Sequence, residues 1–482
     1  MQQVSCPGCG APVQFKSAAS VLAVCEYCKT TLLKDANSVR DIGKMSEVLE
    51  DYSPLQIGTS GQYARRSFSL VGRIQLRYTE GFWNEWYVLF DDGSTGWLSD
   101  ASGQYTMTFA REAAGDLPAF ERLAPGQPLS MFGETYTTAD IRSAQCTGGQ
   151  GEHPVLIAGG RPARVADFRV GSHFLTLDYS EGDKPQIFLG AAVELADLKP
   201  QLLRDVSQIT DAAGRFHGKV SALACPSCGA SVPSAIGVTT HLICPNCHAE
   251  VDTSGATAIV LAAGASVGAQ RFTLELGSTA LIEGANYSVL GAMRRTEGDG
   301  SSAWNEYLLY APGLDFVWLV ETQEGWQRAR VMSDWPRFDA SGNVRTSGGA
   351  FRRDSDYVAR VAYAAGSFNW RVSVGDTVRV TEYASGVNRL AAEMTREELT
   401  WSISRAVPLD QVRAWVGDHV HAEAVPHPSY VSSAKHVLIF LGIINAIPVL
   451  FGGGAAISYT LLAVLAILLP AIVLDRMDSK AP

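Results

Sequence analysis

Eight of the nine cysteines fall into a pattern that occurs twice. Cys6-Pro7-Gly8-Cys9-Gly10 is followed by Cys25-Glu26-Tyr27-Cys28, and Cys225-Pro226-Ser227-Cys228-Gly229 by Cys244-Pro245-Asn246-Cys247, with 15 residues between the pairs in each set. A CxxC turn presents two thiolates to one ion, and a short hairpin between the turns brings up the other two. The spacing therefore points to two tetrathiolate zinc sites. Glycine after the second cysteine, Gly10 and Gly229, suits the positive φ such a turn needs. A disulfide is the competing reading of any single pair, but two copies at one spacing favour metal. Four protein ligands leave no position for water or substrate. Two structural zinc ions are thus expected, each folding a small ribbon and taking no part in chemistry. His241 and His248, beside the second set, read as surface residues rather than ligands.

A second motif is also duplicated. Trp83-Asn84-Glu85 returns as Trp304-Asn305-Glu306. Side chains alternate along a strand, so Trp83, Glu85 and Tyr87 share a face, and a carboxylate on an aromatic face is unusual. The glutamates either accept hydrogen bonds that pin a hairpin, with Arg73, Arg77, Arg294 or Arg295 as partners, or form an acidic recognition site, or act as a general base if their pKa is raised. Trp83, Glu85, Trp304 and Glu306 are the candidate interaction residues.

The elements that position these residues repeat as a unit. Phe68-Ser69-Leu70-Val71-Gly72 matches Tyr287-Ser288-Val289-Leu290-Gly291 at the cysteines' offset of 219, while the Trp-Asn-Glu motifs lie 221 apart. Gly96-Trp97-Leu98 matches Val317-Trp318-Leu319, and Gly133-Glu134-Thr135-Tyr136 matches Gly348-Gly349-Ala350-Phe351 more loosely. Short aromatic and β-branched runs bounded by glycine and aspartate turns predict hairpins. Each copy is expected to end in a short helix, at Ala192–Leu198 and Ala406–Val412. The fold expected is mainly β: two repeats of zinc ribbon plus antiparallel β-domain, each a small barrel or sandwich, followed by a C-terminal α-helical membrane hairpin. The segments are ribbon 1 over 1–34, β-domain 1 over 50–212, ribbon 2 over 222–253, β-domain 2 over 268–417, a linker over 418–433 and the hairpin over 435–474. A polar connector is expected over Thr30–Asp51, and Cys146 is left unpaired in a loop-like, glycine-rich stretch.

The hairpin is read from 38 residues without a charge, Val437 to Leu474, interrupted by Gly452-Gly453-Gly454. That run is too long for one ordinary span. Lys435 and His436 before it and Arg476 and Lys480 after it put both outer ends in the cytoplasm by the positive-inside rule. The N-terminus has neither the basic nor the apolar region of a signal peptide. Thiolate zinc sites and an odd cysteine fit a reducing compartment. The expected location is a membrane, the bacterial inner membrane, with the soluble domains in the cytoplasm.

The ribbon, Gly72, Trp83, Glu85, Trp97 and Leu98 in one copy, and Gly291, Trp304, Glu306, Trp318 and Leu319 in the other, resemble the bacterial domain of unknown function numbered 4178. The resemblance covers both β-domains. It implies a membrane-associated bacterial protein, of a family encoded near membrane-stress and polyamine-synthase-like genes, and no enzyme class.

Three functions remain to be weighed. A membrane-anchored adaptor or scaffold without catalysis, bound to a protein partner and taking no small-molecule substrate, accommodates every feature above. An enzyme with an unrecognised site is the alternative, although GxxxxGK[ST], GxGxxG after a strand and HExxH are missing. His419, His421 and His427 cluster in the linker beside the membrane segment and read as a solvated loop. A nucleic-acid-binding ribbon is disfavoured by the net charge of −10 and by ribbons without a basic stripe.

Overall fold

The computed structural model describes residues 2–34, 39–205, 221–234, 241–253, 259–262, 272–417, 437–445 and 453–478, with short breaks inside these ranges, and positions 420 and 434. Most of the linker over 418–433, with His419, His421 and His427, lies outside the described residues, as does most of the junction between the copies near 212.

Eight antiparallel strands of the first copy close into a barrel. In order around the ring they are Arg66–Arg77, Phe82–Phe90, Thr95–Ala101, Gln104–Arg111, Gln186–Val193, His173–Asp178, Pro162–Val170 and Glu134–His153, the last pairing back to the first. The second copy repeats the ring with Ala285–Glu297, Ala303–Tyr310, Val317–Thr322, Gly325–Val331, Leu399–Val407, Asn388–Met394, Thr377–Ser385 and Gly349–Phe368.

One strand makes closure possible. Glu134–His153 gives its first half to Pro162–Val170 and its second half to Arg66–Arg77. Where it crosses, Gly151 pairs with Gly72, and in the second copy Gly366 pairs with Gly291. A Cβ on Gly72 would lie 1.9 Å from the Glu152 carbonyl oxygen, and one on Gly151 would lie 2.2 Å from that of Val71. Gly151 and Gly366 also have φ of +72° and +93°. Only glycine fits this approach. Cys146 is therefore not in a loop: it is buried in this strand, and the glycines after it shape a strand.

Each ribbon is welded to its barrel. Leu22–Val24 of the first ribbon pairs with Gly151–His153, and His241–Ile243 of the second pairs with Gly366–Phe368. The Glu152 carboxylate accepts the backbone N–H of Lys16 (2.7 Å) and Ser17 (3.0 Å). The expected polar connector instead carries two strands, Thr30–Lys34 and Val39–Lys44, which continue the same sheet. His241, expected at the surface, is 2% exposed because its strand is enclosed by this joint.

The two faces of each barrel wall differ. One face is apolar and covered from outside by the segments before and after the barrel. In the first copy Phe68, Leu70, Trp86, Val88 and Leu98 meet Leu55 and, from the 3₁₀ turn Leu195–Leu198, Leu198. In the second, Tyr287, Val289, Tyr307 and Leu319 meet Leu274 and, from the helix Leu409–Val416, Val412. The other face turns into the ring and mixes apolar side chains, such as Ile74 and Trp97 in the first copy and Met293 and Leu308 in the second, with acids.

The copies touch. Backbone bridges join Asp140 to Glu398 and Gly171 to Trp335. Arg142, its side chain 8% exposed, reaches Asp140 at 2.8 Å and, across the junction, Glu397 at 3.2 Å and Glu398. The contact is heterologous, using different surfaces of the two copies.

A final helix spans Gly453–Asp478, with Pro470 inside it. Its side chains are described over 458–470 and at 472, and among the described residues no helix is long and apolar enough to cross a membrane. The transmembrane hairpin expected over 435–474 is therefore not supported. Gly453 and Gly454, expected in the break between two legs, begin this helix, and Gly452 lies outside the described residues. Of the first leg, 437–441 and 443–445 are described, as helix.

Candidate functional site

The eight cysteines gather as two groups, Cys6, Cys9, Cys25 and Cys28, and Cys225, Cys228, Cys244 and Cys247, the sulfurs of each group lying within 4.8 Å of one another. All are free thiols. Sγ separations of 3.6 Å (Cys6–Cys28) and 3.7 Å (Cys9–Cys25, Cys225–Cys247, Cys228–Cys244) are far from a disulfide bond. A tetrahedron with metal–sulfur bonds of about 2.3 Å has edges of about 3.8 Å. The groups fit a tetrathiolate metal.

The sequence builds these groups from four equivalent turns. The N–H of the residue after each second cysteine donates to the carbonyl of the first: Gly10 to Cys6 (2.8 Å), Lys29 to Cys25 (2.9 Å), Gly229 to Cys225 (2.8 Å) and His248 to Cys244 (2.8 Å). All four have positive φ, 76°, 61°, 76° and 57°. Glycine at two of them was the visible signal. Lys29 and His248 adopt the same conformation without it. His248 is no ligand; its ring meets Tyr363 edge-on at 5.4 Å.

Trp83 and Glu85 face the barrel interior, as do Trp304 and Glu306. Trp83 Nε1–H donates to Glu85 Oε1 at 2.8 Å, and Trp304 Nε1–H to Glu306 Oε1 at 2.6 Å. The Ser99 hydroxyl donates to Glu85 Oε2 at 2.8 Å. The partner of Glu306 is Arg295, at 3.1 Å, which also spans the ring to Glu393 at 3.0 Å.

The strand registers reveal further matched carboxylates. Ile74 pairs with Glu85 as Met293 pairs with Glu306, and Val165 pairs with Asp178 as Val380 pairs with Glu393. Asp167 pairs with Thr176 as Glu382 pairs with Ala391. The two barrels thus share three matched acids on this face: Glu85, Asp167 and Asp178 in the first, Glu306, Glu382 and Glu393 in the second. Only the first of each set was singled out in the sequence. The others lie 215 residues apart, an offset shared by Gly151/Gly366, but the residues around them differ and aspartate replaces glutamate.

Burial pushes the motif glutamate up in both barrels, Glu306 against the charge of Arg295. Burial pushes Glu85 up to about 7, against the hydrogen bonds of Ser99 and Trp83, and the charges of Asp167 and Asp178 push the same way. Burial likewise lifts Asp167 to about 6, against the Thr176 hydrogen bond and Arg169. In the second barrel Glu382 accepts hydrogen bonds from Tyr357 (3.0 Å) and Ser355 (3.1 Å), while Arg295 serves the other two acids.

The asparagine of each motif points to the other face of the wall. Asn305 donates to Glu321 Oε2 at 2.9 Å, joined there by Tyr307 at 2.7 Å. Asn84 accepts from Arg73 at 2.9 Å and lies opposite Asp100, which receives the Ser53 hydroxyl. Asp100 and Glu321 were missed, yet each stands three residues after the matched tryptophans Trp97 and Trp318.

Among solved structures, the mouse laminin alpha1 chain, domains LG4-5, is similar at 10% identity over 78% of this chain and 83% of that one, with a TM-score of 0.10. A likeness that weak carries no argument. No curated protein matches. The family described as "Domain of unknown function (DUF4178)" matches residues 56–195 and 275–409, the two barrels and more than half of the chain. The chain belongs to this family and carries its domain twice, each copy preceded by a four-cysteine group.

Proposed function

We propose that the chain is a membrane-anchored adaptor or scaffold without catalysis, in which two zinc-bound ribbons hold two barrels at the cytoplasmic face of a bilayer. The observation that carries this reading is the exposure of the C-terminal apolar segment. Phe440 is 64% exposed, Ile443 70%, Tyr459 74%, Leu461 57%, Leu462 61% and Leu469 54%. Such a stretch stays in water only at a high cost in free energy, and these described side chains are left uncovered. Embedding it in lipid removes that cost and raises the local concentration of whatever the barrels bind. Zinc is the metal that best suits four thiolates in tetrahedral geometry. The wedded barrels would present one rigid body to a protein partner. Turning the Trp–Glu pairs into the rings takes them off the outer surface, so the partner surface is sought on the barrel exteriors.

The test is affinity capture of the detergent-solubilised full chain from its host. Stoichiometric recovery of a membrane or membrane-proximal protein supports the scaffold. Recovery of RNA or DNA, or chemical turnover of a retained metabolite, sinks it.

A further inference from the structure

The second barrel carries its own cation where the first has none. Arg295 stands directly opposite Trp304 across the strand pair, and Leu76 stands opposite Trp83 in the same register. The Arg295 guanidinium bridges Glu306 and Glu393 across the ring, lies 5.9 Å from the centre of the Trp304 ring, and leaves its side chain 7% exposed. In the first barrel the matching acids are Glu85 and Asp178. Leu76 ends where an arginine would continue, and Asp178 is one methylene shorter than Glu393. Among the described residues neither Glu85 nor Asp178 has an ion-pair partner. Two other buried arginines of this barrel have partners of their own: Arg142 has Asp140, Glu397 and Glu398, and Arg169, whose charge acts on Asp167, lies against the rings of Phe174 (4.8 Å) and Trp335 (5.5 Å). Glu85, Ser99 and Asp178 are all partly exposed, so solvent reaches them.

We propose that the first barrel binds an organic cation of guanidinium or primary-ammonium type between Glu85 and Asp178, in the place that Arg295 occupies in the second barrel. The second copy acts as an internal comparison in which the equivalent carboxylates hold a guanidinium. The chemistry of the walls selects the ligand. Two carboxylates supply charge and hydrogen-bond acceptors, the Trp83 ring supplies a π face, and Leu76 supplies an apolar wall. A hard divalent ion needs six or more oxygens and gains nothing from a tryptophan and a leucine. The duplication has thus left one barrel closed by its own side chain and one open to a ligand.

The experiment is thermal unfolding of the full chain in detergent, titrated with methylguanidinium against sodium chloride at equal ionic strength. The wild-type midpoint should rise saturably with millimolar methylguanidinium and not with sodium. Leu76→Arg should abolish the response by filling the site, and Glu85→Gln should abolish it by removing a ligand, so a failure of either variant to fold leaves the other. Arg295→Leu should gain a second, separate response. The proposal is overturned by no saturable response in the wild type, by a response that survives both Leu76→Arg and Glu85→Gln, or by a larger response to magnesium or calcium than to methylguanidinium. It does not rest on the scaffold reading and survives that reading's failure.

Discussion

Replacing the same glutamate by glutamine in the two barrels should change stability in opposite directions. Glu85 is ionised in the unfolded chain above its ordinary value of 4.5, but burial pushes it up to about 7 in the fold. The folded state therefore holds more protons than the unfolded state between these values, and stability falls as pH rises through that window. Above it the penalty is complete. At about 1.4 kcal/mol per pH unit, the interval from 4.5 to about 7 bounds it at about 3 kcal/mol. Glu85→Gln keeps the shape and an acceptor for Trp83 and Ser99 while removing the charge. It should stabilise the chain by about 1–3 kcal/mol near pH 8, and the gain should shrink steadily toward about pH 5. Burial pushes Glu306 up as well, but Arg295, whose side chain is 7% exposed, acts against it, and the Glu306 charge offsets that of Arg295. Glu306→Gln leaves Arg295 with Glu393 alone and should cost about 1–3 kcal/mol at the same pH. Urea unfolding of both variants across this pH range, without added organic cation, is the assay. Destabilisation by Glu85→Gln near pH 8, or equal effects of the two substitutions, would refute the reasoning.

Three further outcomes follow from particular contacts. His153 is fully buried, neither ring nitrogen has a hydrogen-bond partner, and its matched position in the second copy is Phe368. His153→Phe should raise stability by about 1–2 kcal/mol in denaturant titration, and a loss would show that the first copy's slot is shaped differently. Elemental analysis should find close to two zinc ions per chain, and Cys25→Ser or Cys244→Ser should each lose one and loosen its own ribbon; folded wild-type chain without metal would count against both sites. Arg142→Ala leaves Asp140, Glu397 and Glu398 without their shared cation at the junction, so it should cost roughly 3 kcal/mol and separate the unfolding of the copies, whereas unchanged melting would make the junction loose.

The metal groups were legible because local chemistry dictates them: CxxC spacing fixes a turn wherever the turn lies. The duplication was legible where large residues repeat, at Trp83/Trp304 and Gly72/Gly291. What the sequence hid depends on closure of the ring. Thr147-Gly148-Gly149-Gln150-Gly151 resembles a loop, because nothing local says that a second strand will approach within the reach of a single Cβ. The expectation of a surface for His241 failed for the same reason, since the ribbon strand is buried by a barrel strand over 100 residues away. Asp167, Asp178, Glu382 and Glu393 become partners of the Trp–Glu motif only across the ring. The choice between a pinned hairpin and a recognition surface for Glu85 and Glu306 could not be made from one strand, because it turns on what stands opposite. The arginines named as partners include the right one, Arg295, in the second copy, while in the first Arg73 turns to Asn84 on the other face.

The central claim, that the apolar C-terminal segment holds the barrels at a membrane, is tested most directly by flotation of the purified chain with liposomes after reconstitution, beside a chain lacking Val437 to Pro482. The truncated chain retains both barrels, the helix Leu409–Val416 and Val420, which close the second core. The account predicts that the full chain floats with lipid through a high-salt and alkaline wash while the truncated chain stays at the bottom, folded and monodisperse. A full chain that remains soluble without detergent, or a truncated chain that still floats, would contradict it.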